Sequence, residues 1–327
     1  MFGTAARALL ALILITMSLP AWSQQWPTKP IRVFVAQGAG GGQDTFMRYM
    51  ADRLGAALGQ QIIIENRPGA GGTIGTRAAA AAPADGYNFV VASSASFAST
   101  PHTVKAAGYD PVKDFVPVAL MSRPAGFLIT ANANLPVKTF ADVVALGTAD
   151  PGKLSIVVDG PRNATGLIVA YLNKVTSANM TLVPYTSTMQ GLQDTVAGTT
   201  GLFIQATGLA MQFVKSGALR PIAVTGASRD ETLPDTPTIA ETYPGISLNG
   251  WLMLAAPVGT PQDVVDRMNL EFSRLLKDPQ VVDWMRSYGA PAPPATGAGN
   301  PAELREFVRS EYLLWEKVVK TIGIEPE

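Results

Sequence analysis

Short apolar runs alternate with helical patterns along most of the chain. Segments 31–36 (IRVFVA), 61–66 (QIIIEN) and 87–93 (YNFVVAS) are brief, rich in β-branched or aromatic residues, and bounded by Gly, Pro or Asp, as buried strands are. Between the first two, the spacing of Met47, Met50, Leu54 and Leu58 predicts a helix of about 16 residues that begins at Asp44 and is closed by Gly59. Such strand–helix–strand alternation predicts parallel strands with helical crossovers. The rhythm continues with strands predicted at 127–131, 154–159, 181–185, 201–205 and 219–225, and helices near 139–147, 163–176, 187–197 and 207–216. A turn-rich stretch from 229 to 250, with Pro234, Pro237 and Pro244, interrupts it. One more apolar run (251–256) precedes a helical C-terminal part. There Thr260 with Pro261 and Asp263 reads as an N-cap, a proline at the first helical position and an acidic first turn. Asn300, Pro301 and Glu303 repeat that device ahead of Leu304, Phe307, Val308, Leu314, Trp315 and Val318, which look like packing positions.

The first residues follow another pattern. Arg7 is the only charge in 1–23, residues 8–18 are apolar, and Ala21-Trp22-Ser23 puts small residues at the −3 and −1 positions. This predicts a secretory signal peptide cleaved after Ser23 and a periplasmic mature protein. The apolar run is shorter than the roughly 20 residues that a membrane span requires. No cysteine stands at the cleavage point to make a lipoprotein, and no second long apolar stretch follows.

Composition narrows the chemistry. A chain of 327 residues has room for two ordinary domains or one large α/β domain. With 25 Lys+Arg against 25 Asp+Glu there is no basic field, and nucleic acid is not an expected partner. The absence of cysteine excludes a disulfide scaffold, a thiolate nucleophile and cysteine-ligated metals, and the single His102 argues against a histidine-rich metal or catalytic centre. No cofactor and no metal are expected. His102, in Thr100-Pro101-His102, reads as structural, and no G-x-S-x-G elbow or defensible pair of catalytic carboxylates occurs.

Two glycine-rich turns directly follow predicted strands. In the first, Gln37, Gly38, Ala39, Gly40, Gly41, Gly42, Gln43 and Asp44 lead into a helix. Adjacent glycines let backbone N–H groups approach a ligand while the helix N-terminus supplies a positive dipole end, an arrangement suited to a carboxylate or phosphate. The alternative is a tight turn that binds nothing, with Asp44 serving only to stabilise the helix. In the second turn, Gly69, Gly71 and Gly75 form a relaxed dinucleotide fingerprint. The acidic residue that should close the next strand is missing, because Asp85 precedes that strand and Ser93-Ser94 end it.

Several stretches together resemble one family. They are Trp26-Pro27-Thr28-Lys29-Pro30, Gly40-Gly41-Gly42-Gln43-Asp44, Glu65-Asn66-Arg67-Pro68-Gly69-Ala70-Gly71-Gly72, Asp85-Gly86-Tyr87, Tyr109-Asp110-Pro111, Val183-Pro184-Tyr185, Leu233-Pro234-Asp235-Thr236-Pro237 and Ala256-Pro257-Val258-Gly259-Thr260-Pro261. In collinear order they resemble the extracytoplasmic solute-binding receptors of tripartite tricarboxylate transporters, the Bug-type receptors. The resemblance implies an α/β type II periplasmic binding protein: two doubly wound lobes, an inter-domain ligand cleft and crossover hinge strands. Domain 1 would combine 24–124 and 245–327, and domain 2 would be 125–244. It also implies a small organic carboxylate as ligand, with aromatic and dicarboxylic acids among the candidates, membrane transporter subunits as partners, and a monomeric receptor that is not an enzyme. The ligand would meet the turn Gln37–Asp44 and the hydroxyls of Ser93, Ser94 and Ser96 in domain 1. In domain 2 it would meet Asp159, Gly160, Arg162, Asn163 and Thr165, with Tyr185 and Gln205. This chain departs from the family pattern at Ala36-Gln37-Gly38-Ala39, at Asp159, at Gly166 where a histidine is usual, and at Gln205 where an acid is usual. Arg162 is expected to pair either with a ligand carboxylate or with Asp159, and the loss of the acid at Gln205 points to a ligand without an amine. An exported α/β enzyme acting on a small acid or nucleotide is the alternative reading.

Overall fold

The computed structural model describes residues 26–185, 187–288, 290, 293 and 297–326; the predicted leader, 1–23, lies outside them. Strands β1 (Ile31–Val35), β2 (Ile62–Asn66), β3 (Asn88–Ser93) and β4 (Phe115–Leu120) belong to the first sheet, with helices α1 (Gly42–Leu58) and α2 (Thr73–Ala80) as crossovers. After the two-residue β5 (Ala125–Gly126) the chain enters a second sheet built from β6 (Leu128–Asn132), β7 (Ser155–Val158), β8 (Thr181–Pro184), β9 (Leu202–Gln205) and β10 (Leu219–Val224). Its helices are α3 (Phe140–Ala149), α4 (Ala164–Thr176), α5 (Thr188–Ala197) and α6 (Thr207–Lys215). The chain returns through β11 (Asn249–Gly250) into β12 (Leu252–Pro257) and ends in α7 (Gln262–Leu275), α8 (Pro279–Tyr288) and α9 (Pro301–Ile322). The strand orders are β2-β1-β3-β12-β4 and β10-β6-β9-β7-β8, and β5 pairs with β11 as a small antiparallel ribbon between the sheets.

The expectation of parallel strands holds for β1, β2 and β3 and for β7, β8 and β9. It fails at one strand per sheet. β6, the first strand after the chain crosses into the second lobe, and β12, the first after it returns, each run antiparallel to both neighbours. Both are fed by the crossing ribbon and not by a helical crossover, so nothing obliges them to run parallel. Strand β4 was not expected at all, because Pro117 interrupts its apolar run. It lies at the sheet edge, where a residue lacking an N–H is tolerated, and the register with β12 shifts beside Pro117.

Local expectations are mostly met. Met47, Met50, Leu54 and Leu58 are buried, and Gly59 caps α1 in the left-handed region at φ 70°. Full burial of a side chain such as Leu54 contributes about 1.5–3 kcal/mol. Helix α1 starts at Gly42, two residues before Asp44, which therefore sits in its first turn. Pro261 occupies the cap position of α7 and not its first helical position, and the Thr260 hydroxyl bonds the Pro257 carbonyl. Asn300 does cap α9, through a bond from the Ala302 N–H. Helix α9 buries Leu304, Val308, Trp315 and Val318 in a core cluster that also holds Phe34, Phe97 and Phe115 of the first lobe and Ile156, Leu167 and Ile204 of the second. His102 is structural, its Nε2 lying 2.9 Å from the Tyr312 carbonyl oxygen of α9.

Candidate functional site

In open α/β sheets, ligands bind outside the carboxyl ends of the parallel strands. The sequence-selected residues gather there in both lobes: Gln37–Asp44 after β1 and Ser93–Ser96 after β3, then Asp159–Thr165 after β7, Tyr185 after β8 and Gln205 at the end of β9.

The first turn is organised by a buried acid. Asp44 is 2% exposed and accepts from the Gly40 N–H (2.8 Å), Arg48 Nε (2.9 Å) and Asn66 Nδ2 (2.8 Å). Burial works against its charge, yet these bonds and the Arg48 cation outweigh it and hold the carboxyl below its usual range. Asp44 is thus the internal anchor of the loop. Gln37 lies over the helix end: its Oε1 accepts from the Gln43 N–H at 3.0 Å, and its carbonyl accepts from Asn66 Nδ2 at 3.1 Å. An amide oxygen thus accepts from a first-turn N–H of α1. Gly40 needs its glycine, having φ 79°, whereas Gly38 and Gly42 remain exposed. The Gly41 N–H bonds the Gly38 carbonyl, and a Cβ at Gly41 would lie 3.0 Å from Gln37 Oε1. The Gln43 side-chain oxygen is buried and has no hydrogen-bond partner among the described residues.

The serines are turned inward. Ser93 and Ser96 form a reciprocal cap at the start of a π-helical turn (Ser94–Ser99), each hydroxyl accepting from the other's backbone N–H, and Ser94 is buried with its N–H on the Trp251 carbonyl. The second glycine turn has a packing role. A Cβ on Gly75 would lie 2.8 Å from the Arg67 carbonyl and 3.0 Å from the Ala36 Cα, so glycine lets α2 rest against the end of β1. Asp85 binds Lys29, the Tyr87 N–H and Asn88, fixing the turn before β3, which leaves the dinucleotide pattern without its ribose acid.

In the second lobe Asp159 folds back over the first turn of α4. Its carboxyl accepts from the Thr165 hydroxyl, while its own N–H donates to that hydroxyl oxygen at 3.0 Å. Burial is the largest influence and raises its pKa, with the Thr165 donors partly offsetting it. Asn163 closes the loop through Nδ2 to the Asp159 carbonyl at 2.8 Å, and Gly160 takes φ 142°. Arg162 Nη1 donates to the Glu325 carbonyl at 2.9 Å, tying the loop to the C-terminal segment. Tyr185 donates to Asp194 at 2.6 Å, and Gln205 Oε1 accepts from the Ala206 N–H at 3.2 Å.

Sequence reasoning missed several participants. Gly166 does more than replace a histidine: a Cβ there would lie 2.1 Å from the Gly160 carbonyl, so the loop can fold over α4 only above a glycine. Arg48 and Asn66 support Asp44, the first at helical i, i+4 spacing, a legible signal, and the second through a pairing of β1 with β2 that sequence alone does not give. Tyr288 ends a ring stack, Tyr49–Trp284–Tyr288, with centroids 3.8 and 5.0 Å apart, and its hydroxyl reaches within 3.8 Å of where a Gly42 Cβ would stand.

Residues 46–324 match the tripartite tricarboxylate transporter family receptor. A UPF0065 protein of Bordetella bronchiseptica is 32% identical over 99% of this chain and 95% of its own length. Among solved structures, the R. palustris protein Rpa4515 with adipate shares 32% identity at a TM-score of 0.80, covering 92% of this chain and 100% of that one. The periplasmic binding protein BugD shares 30% at a TM-score of 0.78, over 92% and 100%. Likeness that runs the length of both lobes, at this identity, means that the chain belongs to the tripartite tricarboxylate transporter receptor family, whose members are solute receptors and not enzymes.

Proposed function

We propose that the protein captures a small organic carboxylate between its lobes and hands it to the membrane subunits of a tripartite tricarboxylate-type transporter. The observation that carries this reading is the turn at the start of α1, where a paired, buried Asp44 holds a glycine backbone open and an amide oxygen of Gln37 already sits on a helix N–H. A ligand carboxylate displaces Gln37 Oε1 and gains the helix-end dipole. The adipate in the related R. palustris structure supports an organic acid as ligand. The division into 24–124 with 245–327, and 125–244, is supported by the two sheets, which draw their strands from those segments and meet through the β5–β11 ribbon. Closure is a hinge motion about that ribbon, favoured by contacts a ligand makes with both lobes only when they are shut. The receptor acts in the periplasm, as a monomer, after its leader is removed.

Thermal-shift screening of the mature protein against organic acids, amino acids and nucleotides tests the reading. One or a few acids should raise Tm in a concentration-dependent way. A shift with NAD(H) and none with any carboxylate would restore the enzyme alternative.

A further inference from the structure

The two lobes share one strand order. Counted from the outer edge, β2-β1-β3-β12-β4 and β8-β7-β9-β6-β10 each begin with three parallel strands and place an antiparallel strand fourth. The chain leaves the first lobe through β4, β5 and β6 and returns through β10, β11 and β12, so the crossing joins the last two strands of each order. Strands β2 and β8 are therefore the farthest from the hinge, and the turns at their carboxyl ends stand at the mouth of the cleft. Helix α2 follows β2 and α5 follows β8, and each opens with a threonine and then a large apolar residue, Thr73-Ile74 and Thr188-Met189. Ile74 is 51% exposed and Met189 43%.

These side chains are out of character for their positions, because the first turn of a helix favours acids. Helices α3 and α7, which follow the antiparallel β6 and β12 and so begin at the edge away from the cleft, carry Asp142 and Asp263 there. Helices α2 and α5 have no first-turn acid. The second glycine turn also makes room for Ile74: a Cβ on Gly69, which has φ 123°, would lie 2.7 Å from Ile74 Cδ1.

We propose that Ile74 and Met189 are the lips of the receptor, meeting across the mouth of the cleft when the lobes shut. Acids at both places would repel each other on closing, whereas isoleucine and the adaptable methionine gain by leaving water together. The contact favours the shut state and closes the outer end of the cleft over whatever acid is bound. The inference rests on the receptor reading above.

Cysteine crosslinking tests it. The sequence contains no cysteine, so an introduced pair reacts alone. Copper-phenanthroline oxidation of dilute mature protein carrying Ile74→Cys and Met189→Cys should give an intramolecular disulfide, which needs Cα atoms within about 7 Å of each other. Ile74→Cys with Val175→Cys is the control, since Val175 is exposed near the far end of α4. The lip pair should react at least about tenfold faster than the control. A rate no faster than the control, or a product that links two chains, overturns the proposal. Small-angle X-ray scattering at low salt keeps the test decisive if a cysteine variant does not fold. Ile74→Lys with Met189→Glu should have a smaller radius of gyration than Ile74→Lys with Met189→Lys, and equal radii overturn the proposal. Either failure leaves the receptor reading in place, because the acid screen above reads binding independently of the lips.

Discussion

Asp44→Asn separates the scaffold of the first-lobe turn from its ligand chemistry. Asp44 is 2% exposed and accepts three hydrogen bonds, one of them from the Arg48 cation. An asparagine offers one oxygen to those three donors and turns an N–H2 toward the others. At least one charge-assisted bond is lost, at about 1.5–3 kcal/mol. The ion pair adds less than about 1 kcal/mol, because the Arg48 side chain is half exposed. The expected loss is about 2–4 kcal/mol at neutral pH, read from urea unfolding of the mature protein. The pH dependence fixes the cause. The folded-state pKa of Asp44 lies below its unfolded value, so its contribution is complete above the unfolded pKa and disappears as pH falls through the folded one. The gap between wild type and Asp44→Asn should therefore be widest near neutrality and close in acid. A loss under about 0.5 kcal/mol at neutral pH, smaller than a single ordinary hydrogen bond contributes, would refute the reasoning, as would a gap that stays constant into acid.

Gly38→Leu should leave the apo Tm near wild type, because nothing lies within 4 Å of an added Cβ there, and should abolish ligand-induced stabilisation in thermal shift. Gly41→Leu is a poorer probe, since its Cβ would press on Gln37 and the Gly38 carbonyl and disturb the turn itself. Gly166→Ala should cost about 1–3 kcal/mol in urea unfolding through overpacking against the Gly160 carbonyl; a neutral effect would mean that the loop over α4 is free to move. Arg162→Ala should lower apo stability by up to about 1 kcal/mol and leave calorimetric ligand affinity nearly unchanged. A large loss of affinity at constant Tm would show that Arg162 reaches the ligand.

Much of the fold is legible because its signals are local. The apolar face of α1, the Gly59 cap and the strands flanking the glycine turns follow from period and punctuation alone. The reversal of β6 and β12 was not legible, because strand direction depends on how the chain crosses between lobes and the residues of the strands carry no trace of it. The site divides in the same way. The glycines mark where backbone is exposed, but not which polar neighbours already fill the available bonds. Ser93 and Ser96 look like ligand hydroxyls in sequence, yet their three-residue spacing is also that of a helix cap, and in the fold each hydroxyl oxygen accepts from the other's backbone N–H. Arg162 has no sequence neighbour that foretells Glu325, 163 positions away.

Helix α9 gives the two lobes a common fate. It packs on β4 and the Ser94–Ser99 turn in one lobe and on α4 in the other, with Trp315 fully buried. Near the return crossing, its Glu311 accepts from Trp251 Nε1 at 2.9 Å. Neither lobe is a self-sufficient folding unit, because the 22 residues of α9 complete the cores of both at once. Thermal unfolding of the apo protein should then be a single cooperative transition, with calorimetric and van't Hoff enthalpies in agreement, despite an architecture that divides visibly in two.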